Sequence, residues 1–199
     1  IESASTVCGV ALFLSSELVA LDEIDQPRIH GKRLPVIIHD ILNNHSVNID
    51  QLDGIAISSG PGSYTGLRIG MSLARGVAAA GNLPIIPVCT LFSMNANIQQ
   101  NGIYWIMLHS HKNLVYTQRY HSGKPDSEII FEEFQSEKDA LIYGYNMENF
   151  CENYISIPPS AQSVGELALK NYDKWMEADI NQISPNYITN INIGQLKTA

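Results

Sequence analysis

Basic residues are scarce: 12 Lys and Arg stand against 20 Asp and Glu in 199 residues, a formal net charge of −8. Affinity for a phosphate backbone comes from Lys and Arg releasing condensed counterions. Such a chain is therefore not expected to hold nucleic acid or an anionic membrane surface unaided. Cysteine is also sparse. Cys8, Cys89 and Cys151 are odd in number and far apart, and no CxxC pair exists. This excludes a disulfide framework and a zinc ribbon and points to a reducing compartment. No apolar run approaches the ~20 residues of a membrane-spanning helix, and no secretory leader pattern is visible. The expectation is a cytoplasmic protein without membrane contact. None of the six histidines forms an HxxxH or HExxH pair, which removes the usual way of placing two metal ligands on one helix face. His109 and His111 would share one side of a strand, but no third ligand stands near them in the sequence, and no metal site is assigned.

What is present suffices for a core. Hydrophobic residues make up 45% of the chain, and the length fits one domain or two small ones. The N-terminal part reads as β-structure: the apolar runs 7–14 and 17–21 are split by Ser15-Ser16, a hairpin turn. Residues 1–5 would end a preceding strand. Because position 1 is Ile rather than Met, that strand is expected to be incomplete. Leu34, Ile37, Ile38, Ile41 and Leu42 recur at helical spacing and predict a helix over 32–44, with Pro35 tolerable in its first turn. A buried strand at 55–58 runs into the loop Ser59 to Gly66, and an apolar helix follows over 67–80, stopped by Gly81-Asn82. Further on, a strand is expected at 85–88 and a helix over 91–99 capped by Thr90. Paired strands are expected at 103–108 and 114–120, a polar turn at 123–127, a short helix at 136–141 and a strand at 154–157. A helix over 161–176 follows Pro158-Pro159-Ser160, and Ser184-Pro185-Asn186-Tyr187 opens an irregular tail. Strands followed by alternating β and α segments indicate an α/β architecture.

The segment 57–70, ISSGPGSYTGLRIG, carries the most information. A glycine loop at a helix N-terminus is a ready anion site. Yet a Walker A loop needs Gly-Lys-Ser/Thr, and here Leu67-Arg68 follow Gly66. The GxGxxG spacing also fails, since Gly66 is the first glycine after Gly60 and Gly62. Pro61-Gly62 can simply be a turn. GxSxG is not met either, because Ser63 directly follows Gly62. Gly66, Gly70, Ala74 and Ala78 recur every four residues. They form a ridge of nearly bare backbone, expected to admit a second helix closely, either the helix at 32–44 or one from another chain. Cys8, Cys89, Tyr172, Trp175 and Met176 read as packing residues, and the acidic stretch 128–137 reads as a solvated face.

GPGSYTGLRIG placed after a strand closely resembles the TsaB (YeaZ) family of the ASKHA superfamily. IESAS at the start, HGKRLP at 30–35, LDGI at 52–55, LPIIPVCTL at 83–91, PSA at 159–161 and PNY at 185–187 resemble that family's segments in the same order. The likeness is dense over 1–95 and thin over 100–199. At 108–116 the chain reads LHSHKNLVY, where the family carries an Asp-Ala-Arg-like turn before Glu-Val-Tyr.

The resemblance implies an actin-like (RNase H-like) α/β fold of mixed sheets flanked by helices, with two lobes: 1–95 carrying the glycine loop and interface helices, and 96–199 smaller. It implies a non-catalytic scaffold or activator subunit of the complex that makes N6-threonylcarbamoyladenosine at position 37 of ANN-decoding tRNAs. That subunit would bind a TsaD-type ATPase through a helical bundle, with a TsaE-type ATPase as further partner, self-pairing when alone, and tRNA reached only through the complex. No cofactor is expected in this chain; ATP and metal are expected on the catalytic partner, whose closely spaced His pair has no counterpart here. No catalytic residue is assigned. Glu2 stands where active members of the superfamily place a phosphate-side Asp and is read as a remnant. Carried over residue by residue, the implied interface is Leu34, Ile38, Ile41 and Leu42 on the first helix. The loop and second helix would add Gly60, Pro61, Gly62, Ser63, Tyr64, Thr65, Gly66, Arg68, Gly70, Met71 and Ala74. Two other readings stand beside this one: an ATP-binding phosphotransferase or hydrolase of the same superfamily, and a homodimeric interaction module unrelated to tRNA.

Overall fold

The computed structural model describes residues 1–135, 140–149, 151–188 and 191–192, the last two by backbone alone. β1 (Val7–Leu14) and β2 (Glu17–Asp25) form the expected antiparallel hairpin. Its turn residues Ser15 and Ser16 both have positive φ, 51° and 68°, the geometry that matches the right-handed twist of the flanking strands. β2 runs four residues beyond its apolar stretch, because Asp22 to Asp25 keep their pairing with β1 although alternate side chains face water.

α1 (His30–Asn44) begins two residues earlier than its apolar pattern, with the His30 ring hydrogen-bonded to Val7 O at 2.9 Å. Pro35 therefore sits in the second turn and leaves the Gly31 carbonyl without an N–H donor; Gly31 is exposed, so water can serve it. Leu34, Ile37 and Ile41 form the buried stripe. A 3-10 turn at Ile49–Gln51 leads to β3 (Ile55–Gly60), which pairs in parallel with β4 (Ile85–Cys89) through the crossover helix α2 (Tyr64–Gly81). The stop at Gly81-Asn82 holds: Asn82 takes the left-handed conformation, and Leu83 N–H closes back on Ala78 O.

α3 (Thr90–Asn95) ends four residues short of its expected limit. Asn95 is buried, and both ends of its amide are engaged, accepting from the Tyr104 hydroxyl (2.7 Å) and donating to Gly123 O (2.9 Å). The chain turns there instead of continuing as helix.

The remaining strands are β5 (Ile103–His111), β6 (Leu114–His121), β7 (Lys124–Pro125), β8 (Ile130–Glu133), β9 (Leu141–Tyr145), β10 (Ile155–Ser156) and β11 (Ile191–Asn192). They build one mixed seven-stranded sheet in the order β10-β9-β5-β6-β8-β11, with β7 on β6. β7, β8, β9 and β11 were not expected from sequence, the last lying in the anticipated irregular tail. β7 lies within the anticipated polar turn, and β8 within the acidic stretch, where Phe131 is buried and stacked on Tyr116 at 4.6 Å. The helix expected at 136–141 lies outside the described residues except for its end, which opens β9.

The helix expected over 161–176 is two: α4 (Ala161–Lys170) and α5 (Tyr172–Trp175). Asn171 breaks it by bonding Leu167 O with both its backbone and side-chain nitrogens, the back-bonding that makes Asn a poor interior residue. α4 packs on β1 and β3, and the Glu23 carboxylate accepts from its first N–H, Ala161, at 2.5 Å, where a negative charge is favourable. One core lies between the hairpin, α1, α2 and β3; another lies against the large sheet around Leu91, Tyr104, Ile106 and Tyr120.

Candidate functional site

The glycine loop is explained by what lies beneath it. Ser3 and Ala4 run under the start of α2, and Ser63 N–H donates to Ala4 O at 2.6 Å. A Cβ at Gly62 would stand 2.2 Å from Ala4 O, one at Gly66 2.1 Å from Ser3 O, and one at Gly70 2.1 Å from Ser3 Oγ. These glycines let the helix ride directly on the 3–4 backbone. At Gly66 and Gly70 the small-residue ridge meets Ser3 inside this chain and not a second helix, whereas Ala74 and Ala78 are buried in the core that α2 shares with β3 and with Leu34, Ile37 and Ile41 of α1. Its four-residue period suits an extended segment as well as a helix, and the pattern alone did not separate the two. α2 also starts three residues earlier than expected, so Tyr64, Thr65 and Gly66 belong to the helix.

Several amides at the start of α2 are occupied, Ser63 N–H by Ala4 O among them. Ser63 Oγ caps α2 by accepting from Gly66 N–H at 3.2 Å, and Leu67 N–H donates to Ser63 O. Gly60 has φ +104°, and a Cβ there would meet Asn186 O at 2.8 Å. Asn186 N–H donates to Ser59 O at 2.7 Å, while Arg75 reaches Ile183 O and Asn181 O. The segment 181–187 thus straps the loop to α2. The Tyr187 ring lies tilted against Tyr64, centroids 4.9 Å apart, and Arg68 donates to the Tyr64 hydroxyl at 3.0 Å.

Exposure divides the anticipated interface set. Leu34 (0%), Ile41 (7%), Met71 (3%) and Ala74 (0%) are core residues of this chain, and Gly60, Pro61, Gly62, Gly66 and Gly70 are buried with them. Ile38 and Leu42 are half-buried, whereas Ser63, Tyr64, Thr65 and Arg68 are exposed. What α1 and α2 present outward together is an apolar groove lined by Pro35, Ile38 and Leu42 on one side and Leu73, Val77 and Ala80 on the other, with His39 at its rim. Leu73, Val77 and Ala80 were missing from the anticipated set. Leu73 and Val77 are four residues apart, on a stripe beside the glycine ridge, and their spacing was the available signal.

Glu2 is fully buried. Its backbone pairs with Gly9, and Oε1 accepts from Ala4 N–H at 2.6 Å. Burial pushes its carboxyl from the ordinary 4.5 up to about 7, against the opposing help of the Ala4 hydrogen bond. His109 bonds Lys112 O, and a strand irregularity separates it from His111, whose ring lies near Phe131. Among the described residues no group of three His, Cys, Asp or Glu could hold a metal ion, and no helix is long and apolar enough to cross a membrane. Cys8 and Cys151 are buried, and Trp175 packs edge-on against Phe92, as packing residues do. Met176 is exposed.

Residues 25–176 match the family described as TsaD: tRNA N6-adenosine threonylcarbamoyltransferase. The tRNA threonylcarbamoyladenosine biosynthesis protein TsaB of Haemophilus influenzae is 37% identical over 94 residues, 47% of this chain and 39% of that protein. TsaB of Escherichia coli gives the same identity over 40% of its length, so the match spans about two fifths of these relatives. TsaB of Buchnera aphidicola subsp. Acyrthosiphon pisum is 24% identical over 96% of both chains. The chain belongs to the threonylcarbamoyltransferase-type family, and within it to the TsaB (YeaZ) group. The fold agrees: YeaZ from Pseudomonas aeruginosa superposes with a TM-score of 0.75 at 20% identity, covering 94% of this chain and 97% of that one. The α/β architecture is therefore actin-like.

Proposed function

We propose that this chain is a non-catalytic subunit of the assembly that makes N6-threonylcarbamoyladenosine in tRNA, docking on a TsaD-type transferase through the outer face of α1 and α2. The observation that carries the reading is the groove between Ile38 and Leu42 on one helix and Leu73 and Val77 on the other, on a chain of the TsaB group. Contiguous apolar surface between packed helices is costly to leave in water and commonly marks a protein contact. The family match to the transferase itself adds a second support. A partner of similar build offers a similar face, so two such faces can pair with near two-fold symmetry. The same logic gives a homodimer when the partner is absent.

In this reading residues 1–95 and 96–199 form two lobes, with α4 returning to pack on the first. ATP and metal belong to the transferase, a TsaE-type ATPase joins the assembly, and tRNA is met only in the complex, as the net charge of −8 suggests. The work is cytoplasmic. Docking promotes catalysis only insofar as it favours one conformation of the partner's site.

Light scattering after gel filtration, with this chain alone and mixed with the TsaD-type protein of its own organism, tests the proposal. A 1:1 complex replacing the free species is expected. Failure to form any complex, with or without nucleotide, would refute it. Nucleotide affinity of the lone chain would favour the phosphotransferase alternative.

A further inference from the structure

α2 carries a second exposed patch, on the flank away from the groove. At about 3.6 residues per turn, Tyr64, Arg68 and Arg75 share one flank, while Leu73, Val77 and Ala80 line the groove on the other. Between the two flanks the helix turns Thr65, Ser72, Gly76 and Ala79 outward, all exposed, and nothing lies within 4 Å of a Cβ built at Gly76. The patch itself is aromatic. Tyr64 is 58% and Tyr187 38% exposed, and Arg68 is exposed beside them. Tyr187 is brought there by the strap. Residues 183–188 take no regular secondary structure. Ile183 anchors them in the core, Asn186 N–H donates to Ser59 O, and the Arg75 guanidinium donates to Asn181 O and Ile183 O. Arg75 thus fixes, from α2, where the strap crosses the helix.

We infer, resting on the docking proposed above, that Tyr64, Tyr187 and Arg68 are a second contact point for the TsaD-type transferase and that Arg75 is a positioning residue for it. A stable protein contact takes about 800 Å² and roughly 20–30 residues from each partner, whereas twelve residues line the groove. A partner seated on the groove therefore extends beyond it. Across α2 the way is open. The outward residues are small, so a partner helix can lie close to the α2 backbone and reach the far flank, about one helix diameter (~10 Å) away. Beyond the groove on the α1 side the exposed chains are, Val36 apart, polar: Lys32, Asp40, Asn43 and Asn44, the kind found at the rim of a contact. On the α2 side they are two tyrosines and an arginine, among the types that carry most of the binding energy in protein contacts. The chemistry of the partner follows. Arg68 spends one N–H on the Tyr64 hydroxyl, and the further donors of its fork suit a carboxylate. An aliphatic or aromatic side chain of the partner seats against the two tilted rings.

Calorimetric titration of the TsaD-type protein of the same organism into the parent chain and its variants is the test. Tyr64→Ala, Tyr187→Ala and Arg68→Glu should each weaken binding by about 10-fold or more. Arg68→Lys, which keeps the charge and loses the fork, should weaken it less than Arg68→Glu. Tyr64 and Arg68 are exposed, so Tyr64→Ala and Arg68→Glu should melt at the temperature of the parent, and their weaker binding then reads the contact and not a loss of fold. Arg75→Met should weaken binding as Tyr187→Ala does. The two changes together should weaken it no further than Tyr187→Ala alone, since both remove one contact. Parent-like affinity in Tyr64→Ala and Arg68→Glu, with Ala80→Glu in the groove still weakened, overturns the inference and leaves docking through the groove standing. Parent-like affinity in Ala80→Glu as well overturns both. Losses from Arg75→Met and Tyr187→Ala that add in the double variant overturn the positioning role.

Discussion

Gly66→Ala and Gly76→Ala are the same substitution in the same helix, and the structure gives them opposite signs. In a helix interior, Gly to Ala removes a backbone-entropy penalty and stabilises by about 0.5–1 kcal/mol. At Gly76 nothing lies within 4 Å of the new methyl, so the whole gain should be realised. At Gly66 the methyl would stand 2.1 Å from Ser3 O, a backbone atom, and 3.3 Å from Ser63 Cβ. Relief requires lifting the start of α2 from Ser3–Ala4, which strains the Ser63 N–H to Ala4 O bond. Overpacking of this kind costs about 1–3 kcal/mol, and a weakened backbone bond about 1 more. Net of the helix gain, Gly66→Ala should destabilise by about 1–3.5 kcal/mol. Urea denaturation followed by far-UV circular dichroism measures both variants. A stabilised or unchanged Gly66→Ala would refute the account of why the loop is glycine-rich, and with it the seating of α2 on residues 3–4.

Other expectations follow from the same geometry. Glu2 is held at about 7 against an ordinary 4.5 by burial, so the folded state binds the extra proton between those values. Its contribution is complete below pH 4.5 and is lost as pH rises through 7, up to about 3 kcal/mol. Glu2→Gln should be more stable than the parent at pH 8, with the difference vanishing near pH 4; equal curves for the two proteins would exclude the buried carboxyl. Ser63→Ala removes the α2 cap and should cost about 1 kcal/mol, measured by thermal melting. Leu34→Ala opens a void beneath α1, where Leu34 is fully buried, and should cost about 2–5 kcal/mol. A smaller loss by urea titration would show that the α1–α2 core collapses around the gap.

Much of the fold was legible because periodicity reports one-sided burial. The β1–β2 turn, α1 and the β5–β6 hairpin all show apolar residues on the spacing that their partners demand. The misreadings share a cause. β8 lies in an acidic stretch and anchors there through Phe131, the buried residue of the strand, and α3 and the helix after Ser160 end where Asn95 and Asn171 spend their amides on distant or local carbonyls. Local composition does not report such bonds. The candidate site was half legible. GPGSYTGLRIG identified the place, but its small residues spoke of closeness without naming the neighbour, which is Ser3 rather than a helix. Leu34, Ile41, Met71 and Ala74 looked as apolar as any contact surface, and only burial in the folded chain separates them from Leu73 and Val77.

The claim that the α1–α2 face docks the transferase is tested most directly by calorimetric titration of a TsaD-type protein with Ala80→Glu, set against Lys124→Glu on the large sheet. Ala80 and Lys124 are both exposed, so neither change should unfold the chain. Docking through the groove predicts that Ala80→Glu weakens binding by about 30-fold or more, the equivalent of ~2 kcal/mol, while Lys124→Glu binds like the parent. Undiminished affinity in Ala80→Glu would contradict it.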